Sequence, residues 1–314
     1  MSDVQHVAVL GAGVIGASWT ALFLAAGRSV TVYDPVPDVE ASVRSYVERA
    51  WPALEQLGLT ARATPDALSF VSTARDAVDG ADFVQENVPE RLPIKHATHA
   101  EIEPALAEGA IVSSSTSGLT LETLQNGWAD PSPLVLGHPF NPPHLIPLVE
   151  LTANERTGAD VLDRTEAFYA DIGKVTIRIR KGMPGYVANR LQAALWREAV
   201  HMAVEGVASV EDIDKAMWAG PGLRWAAMGP TMLFHLGAGE GGLRAFCEHF
   251  QDTFNGWWDD LGDPRLTPEV IQTLVEGMDE QARGRSTSEL SEARDQMLIA
   301  MQAALRSVHT NVDN

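Results

Sequence analysis

The stretch VQHVAVL at 4–10 runs into GAGVIGASWTALFLAAG and then SVTVYDP, and it constrains this chain more than any other. An apolar run of strand length turns through glycines into an apolar helix and returns as a second strand. Gly11, Gly13 and Gly16 stand at the G-x-G-x-x-G spacing. The first glycine permits the tight turn. The second lets the backbone approach a pyrophosphate, and the third lets the helix pack closely on a sheet. The helix N-terminus then offers free N–H groups to phosphate. Alone, this spacing is weakly specific. Asp34 strengthens it, because it closes the second strand 18 residues after Gly16. A carboxylate there accepts hydrogen bonds from an adenosine ribose and repels a 2′-phosphate. Pro35 and Val36 follow it, not an arginine. The expected cofactor is NAD. The plainer alternative is a glycine turn in an α/β protein that binds no dinucleotide.

The rest of the chain bounds what such a start can belong to. With 314 residues, 45% of them hydrophobic, there is enough for one large domain or two medium ones. The net charge of −19 repels phosphate backbones and anionic lipid, so neither nucleic acid nor membrane is an expected partner. No run of about 18 apolar residues marks a membrane span. The N-terminus has no basic segment before its apolar run, unlike a secretory leader. Cys247 is the one cysteine, which excludes an internal disulfide framework. These features point to a cytoplasmic protein.

Two segments then carry candidate chemistry. AIVSSSTSG at 110–118 reads as a strand running into a small polar loop. PLVLGHPFNPPHLIPLVELT at 133–152 reads as strand, proline-rich loop and strand. In an open α/β sheet, loops beyond the strand C-termini line the ligand crevice. His138 is a candidate general base, since imidazole titrates near neutrality. A chain reversal would bring Glu150 to its other ring nitrogen, setting the tautomer and stabilising the imidazolium. Ser117 is a candidate donor to the substrate oxygen. The plainer reading makes His138 a structural histidine and Glu150 a strand-end charge. His144 is a weaker base candidate, and Asn141 before proline suits a turn. Glu90 and Lys95 in ENVPERLPIK are polar candidates near the cofactor; loop and surface charge is the alternative. His96 and His99 share helical spacing but have no third ligand, so no metal is expected. After the strand VTIRI and the turn KGMPG, a long helix begins. Asn189 lies early in it and is a candidate to contact substrate or cofactor.

Taken together, GAGVIG, ENVPERLPIK, SSSTSGL, GHPFNP, LVE and PGYVANR resemble the short-chain L-3-hydroxyacyl-CoA dehydrogenase family, in the expected order over about the first 190 residues. The resemblance implies an α/β architecture: an N-terminal Rossmann domain, here 1–182, that binds NAD, and a C-terminal all-helical domain, here 183–314, for substrate binding and dimerisation. It implies that His138 is the catalytic base paired with Glu150, that Ser117 contacts the substrate oxygen and that Asn189 helps place it. It puts Glu90 and Lys95 near the cofactor, and it implies a homodimer.

The chain departs from the acyl-CoA members of that family in two places. PVPDVEASVRSYVERAW has no lysine where those members hold CoA, and GPGLRWAAMGP replaces their GYPMGPFEL-like motif. It is more similar to a branch that oxidises small free 3-hydroxy acids such as L-carnitine or L-gulonate. FHLGAGEGG and RSTSELSEARDQ are somewhat closer to the carnitine-oxidising members. Arg224 stands in that glycine-rich, apolar stretch with no acidic neighbour, and is the candidate clamp for a substrate carboxylate. Trp218 and Trp225 bracket it. Their faces suit a quaternary ammonium by cation–π attraction, or they pack the helices. A short acyl-CoA substrate and a non-catalytic NAD-binding structural protein are the competing readings. From 187 to 252 the periodicity is helical, broken at GPG and GAGEGG. NGWWDDLGDPRLTP reads as a loop, and SELSEARDQMLIAMQAALRSV as a final amphipathic helix in the second domain.

Overall fold

The computed structural model describes residues 4–312 and divides the chain into two compact units. The first runs to Val187 and also takes in Arg294–Arg306. The second comprises Ala188–Ala293 and the helical residues after Arg306. Among the described residues no helix is long and apolar enough to cross a membrane.

The first unit is built on one eight-stranded sheet: β1 (His6–Leu10), β2 (Ser29–Tyr33), β3 (Leu68–Phe70), β4 (Phe83–Glu86), β5 (Ile111–Ser114), β6 (Leu134–Pro139), β7 (Leu148–Thr152) and β8 (Val175–Arg178). Their spatial order is β3-β2-β1-β4-β5-β6-β7-β8. The strands from β3 to β6 run parallel, β7 runs antiparallel to β6, and β8 runs parallel to β7. A parallel sheet covered on both faces needs apolar side chains on both, and β1 supplies them. Val7 and Val9 point to one face, Ala8 and Leu10 to the other, and none of the four is exposed.

The connecting helices are α1 (Val14–Ala25), α2 (Val39–Leu57), α3 (Ala74–Val78), α4 (Leu92–Ile102), α5 (Leu121–Gln125) and α6 (Val161–Asp171). On one face Trp19 and Phe23 of α1 stack at 5.3 Å, and Trp19 meets Tyr169 of α6 at 5.5 Å. Phe83 of β4 packs on Phe168 at 4.4 Å. Fully burying a side chain of this size contributes roughly 1.5–3 kcal/mol. The opposite face is filled by Val84, Val112, Leu121, Leu124, Leu134 and Leu136. This double cover holds the strand ends, and the loops beyond them, in place.

The second unit is helical: α7 (Ala188–Val204), α8 (Val210–Ala219), α9 (Pro221–Ala227), α10 (Pro230–Gly237), α11 (Gly242–Asp260) and α12 (Pro268–Ala282), followed by α13 (Thr287–Val312). Gly220 closes α8, and Pro221 opens α9 at the position where proline is tolerated. The segment expected to be a loop from Asn255 is instead helical to Asp260. Asn255 and Gly256 are poor helix formers, but together they cost only about 1–2 kcal/mol. Phe254 packs edge-on against Trp257 at 5.2 Å, and Phe246 stacks on Phe234 of α10 at 4.5 Å. That aromatic ladder outweighs the local preference. The stretch Arg294–Arg306 of α13 packs with the first unit, where Gln302 donates to the Leu145 carbonyl.

Candidate active site

The glycine turn follows β1 at the C-terminal edge of the sheet. Gly11 has φ +81°, and a Cβ there would come within 2.7 Å of the Asn87 backbone. A Cβ on Gly16 would lie 1.9 Å from the Gly11 carbonyl oxygen, so the turn and α1 touch only because both are glycine. A Cβ on Gly13 would meet nothing within 4 Å, which leaves this side of the turn open. No side chain caps α1, so its first N–H groups remain available to an anion. Asp34 Oδ2 accepts from the Ala12 N–H at 2.7 Å and Oδ1 from the Val36 N–H at 2.9 Å. The acidic residue is thus locked to the turn. This cradle fits the pyrophosphate and ribose of a dinucleotide.

The antiparallel pairing of β6 and β7 places His138 directly opposite Glu150. Cross-strand partners project to the same face of the sheet. His138 Nδ1 lies 2.9 Å from Glu150 Oε2. A carboxylate only accepts, so Nδ1 carries the proton and Nε2 is left as an acceptor. Ser117 Oγ lies 3.1 Å from Nε2 and donates to it. Ser117 stands in the loop after β5, the parallel neighbour of β6. Glu150 Oε1 accepts the Val187 N–H at 2.9 Å. His138 and Glu150 are both buried, so water screens the pair little. The result is an imidazole with a fixed tautomer, whose acceptor nitrogen faces the Ser117 hydroxyl.

Glu90 holds the serine loop. Its Oε1 accepts from the Thr116 hydroxyl, from the Ser117 N–H at 3.0 Å and from the Gly118 N–H at 2.7 Å. Partial burial opposes ionisation, but these donors and the charge of Lys95 hold the carboxyl below its ordinary range. Lys95 is buried, 2.7 Å from Glu86 Oε1 and 3.6 Å from Glu90 Oε2. Glu86 is fully buried and also accepts from Ser114 Oγ at 2.6 Å and the Val88 N–H at 2.8 Å. Burial pushes Glu86 up, yet the neighbouring His99 and Lys95 bring it down to about 2. The sequence marked Lys95 and Glu90 but not Glu86, because an apolar strand end carries no sign that its glutamate faces inward.

The other candidates are distributed as follows. His144 is buried against α1 and α2, where its Nδ1 meets Ser18 Oγ at 2.8 Å, and burial pushes it down to about 4. That environment is separate from the His138 pair. Asn189 is half-buried in the first turn of α7. Arg224 is exposed on α9 and forms no ion pair among the described residues. Trp218 is exposed on α8, and Trp225 is half-buried on α9. Two rings that the sequence reading passed over flank His138: Tyr186 at 5.0 Å and Phe140, edge-on at 6.4 Å. Phe140 stands two residues after His138 in GHPF, so adjacency was a usable signal for it.

Known proteins are similar to this chain over nearly its whole length. The family model for the NAD binding domain of 3-hydroxyacyl-CoA dehydrogenase matches residues 6–182, and that for its C-terminal domain matches 185–277. The chain is 48% identical over 305 residues to an L-carnitine dehydrogenase of Nocardiopsis dassonvillei, covering 97% of this chain and 93% of that protein. It is 41% identical over 307 residues to an L-carnitine dehydrogenase of Pseudomonas putida, covering 98% and 96%. Among solved structures, an NAD+-dependent 5-formyl-3-hydroxy-2-methylpyridine 4-carboxylic acid 5-dehydrogenase superposes with a TM-score of 0.81 at 28% identity, covering 96% of this chain and 99% of that one. A (S)-3-hydroxybutyryl-CoA dehydrogenase from Ralstonia eutropha gives a TM-score of 0.60 at 25% identity, covering 81% and 89%.

Proposed function

The chain belongs to the 3-hydroxyacyl-CoA dehydrogenase family and is an NAD-dependent oxidoreductase, and from that premise we propose that it oxidises the C3 hydroxyl of L-carnitine. The observation that carries this reading is the near-full-length similarity to L-carnitine dehydrogenases at 40–48% identity. His138 takes the hydroxyl proton on Nε2 while Nδ1–H donates to Glu150, whose charge balances the imidazolium. Ser117 hydrogen-bonds the C3 oxygen, and Asn189 helps place the substrate. Gly11, Gly13, Gly16 and Asp34 hold the cofactor, with Glu90 and Lys95 securing the loop beside it. NAD, when bound, supplies the hydride acceptor for C3.

The substrate's own dimensions bear on the remaining residues. In L-carnitine the trimethylammonium is one methylene from the reacting carbon, and so is the carboxylate. An aromatic ring close to His138 would suit that cation, and the Phe140 ring lies 6.4 Å from the imidazole. Trp218 and Trp225 are the further candidates. Arg224, exposed and without a carboxylate partner, is the proposed clamp for the substrate's carboxylate. The exposed apolar side chains of α11, Trp257 and Trp258 among them, suit a homodimer, with the helical residues from 183 onward supplying substrate binding and dimerisation. A short-chain acyl-CoA substrate is the second reading, favoured by the family model's own description. The deciding experiment measures NADH formation with L-carnitine, L-gulonate, 3-hydroxybutyrate and 3-hydroxybutyryl-CoA. L-carnitine should give the highest kcat/KM. Higher kcat/KM with the thioester or with another free acid would overturn the proposal.

A further inference from the structure

One dipeptide, Tyr186–Val187, touches His138, Glu150 and the loop that carries Ser117. The Tyr186 ring packs on the His138 imidazole, with centroids 5.0 Å apart and planes inclined at 39°. Its hydroxyl donates to the carbonyls of Thr116 at 3.4 Å and Leu119 at 3.5 Å, on either side of Ser117. The next N–H, that of Val187, donates to Glu150 Oε1 at 2.9 Å, on the side of the carboxylate that His138 does not use. A base, the loop bearing its hydroxyl and the carboxylate that orients it thus meet one short piece of chain. None of the three is adjacent to it in sequence.

The backbone there is shaped for the purpose. The Tyr186 N–H bonds back to the Met183 carbonyl at 3.1 Å, closing a turn with Pro184 second and Gly185 third. Gly185 has φ +76°, and proline followed by such a glycine is the composition of a type II turn. Tyr186 then continues with φ +47°, in the left-handed region that residues with a Cβ rarely occupy. Two successive positive φ values turn the Tyr186 side chain inward, where it is 8% exposed, and aim the following N–H at Glu150. A tyrosine kept in that conformation needs surrounding contacts to hold it, and beside the apolar core these include the His138 ring and the carbonyls flanking Ser117.

We infer that Tyr186 is a positioning residue, which with the Val187 amide fixes the mutual geometry of Ser117, His138 and Glu150. The inference rests on the reading that His138 is the base. The ring limits the imidazole to one tilt and the phenol holds the serine loop. The amide prevents the carboxylate from rotating away from Nδ1. Reaction rates fall steeply when such groups lose alignment, even though each remains present.

The test compares His138→Gln, Tyr186→Phe, Tyr186→Leu and Tyr186→Gly in the full chain, using the best substrate of the panel. Turnover is expressed per NADH-binding site, titrated by fluorescence. Tyr186→Gly keeps the left-handed backbone without cost but removes the ring, and Tyr186→Leu keeps most of the buried volume. Both should lower kcat by about tenfold to a hundredfold while the NADH dissociation constant stays within about twofold. Tyr186→Phe keeps the ring and should recover most of the rate, ending within about fivefold of wild type. If the glycine variant does not fold, the leucine variant carries the same test. Wild-type kcat per site in the leucine variant overturns the inference. So does a loss of activity that only parallels a loss of NADH sites, since that is a folding effect. His138→Gln separates the two readings. If it retains turnover, the base assignment fails. If it is inactive while the tyrosine variants turn over normally, only the positioning role falls.

Discussion

The sheet unit and the helical unit treat their apolar side chains differently. In the first, Trp19, Phe23, Phe83, Phe168 and Tyr169 are fully buried, and so are the strand residues above and below them. In Ala188–Ala293, Val200 and Ile213 are the buried apolar side chains among the described residues, while Trp218, Leu223, Leu236, Trp257, Trp258 and Ile271 are all exposed. The first unit has a closed core, which holds the hydrogen-bonded His138, Glu150 and Ser117 side chains in place. The second presents surface. The proposed chemistry lies on the rigid element, and the proposed recognition of substrate and of a second copy lies where side chains are still available.

That contrast can be broken at four points. His138→Gln strikes the first unit and should reduce kcat by about a hundredfold to ten-thousandfold, with the NAD dissociation constant unchanged by equilibrium titration. Arg224→Met strikes the helical unit. It should lower kcat/KM for free carboxylate substrates by about tenfold to a hundredfold through loss of a charge-assisted pair. Steady-state kinetics matching wild type would remove the clamp. Trp258→Glu puts a charge on the exposed aromatic ladder and should weaken self-association by about tenfold, read by sedimentation equilibrium. An unchanged association constant, or no association in the wild type, would overturn this face as the proposed dimer contact.

The smallest effect concerns Lys174, buried in the first unit. Its ammonium donates to the carbonyls of Pro143 and Ile146 and lies 4.8 Å from the Trp19 ring centroid. Burial lowers it to about 7. In the unfolded chain a lysine titrates near 10.4, so between about pH 7 and 10 the unfolded state binds more protons. Stability should therefore rise with pH across that window, by about 1–2 kcal/mol once the carbonyls and the Trp19 face offset part of the burial cost. Urea unfolding at pH 7 and 9.5 should show the rise in wild type and not in Lys174→Met.

Much of the first unit was readable beforehand because its signals are local. The glycine spacing, Asp34 at the end of the second strand and the apolar strands all follow from turn geometry and side-chain period. The loop assigned at Asn255–Asp260 failed for the opposite reason. Asn-Gly is a strong local breaker, and only the aromatic contacts of Phe254 with Trp257 and Trp258 show why the helix continues. His138 and Glu150 were candidates by residue type, but their separation of 12 residues allows many registers.

The amino-acid pattern alone carries the dinucleotide turn, the strands around it and the residues that have the chemistry to act. These depend on backbone dihedrals and on neighbours a few positions away. Only the tertiary structure decided that His138 faces Glu150 in register, that Glu86 and Lys95 pair in the dark beneath the serine loop, and that Arg294–Arg306 belongs with the sheet. It also decided that Tyr186 turns inward on a left-handed backbone. Each of these depends on burial against residues far away in the chain. Burial sets both the cost of an unpaired polar group and the gain from pairing it, so its outcome is fixed only once the whole unit has closed.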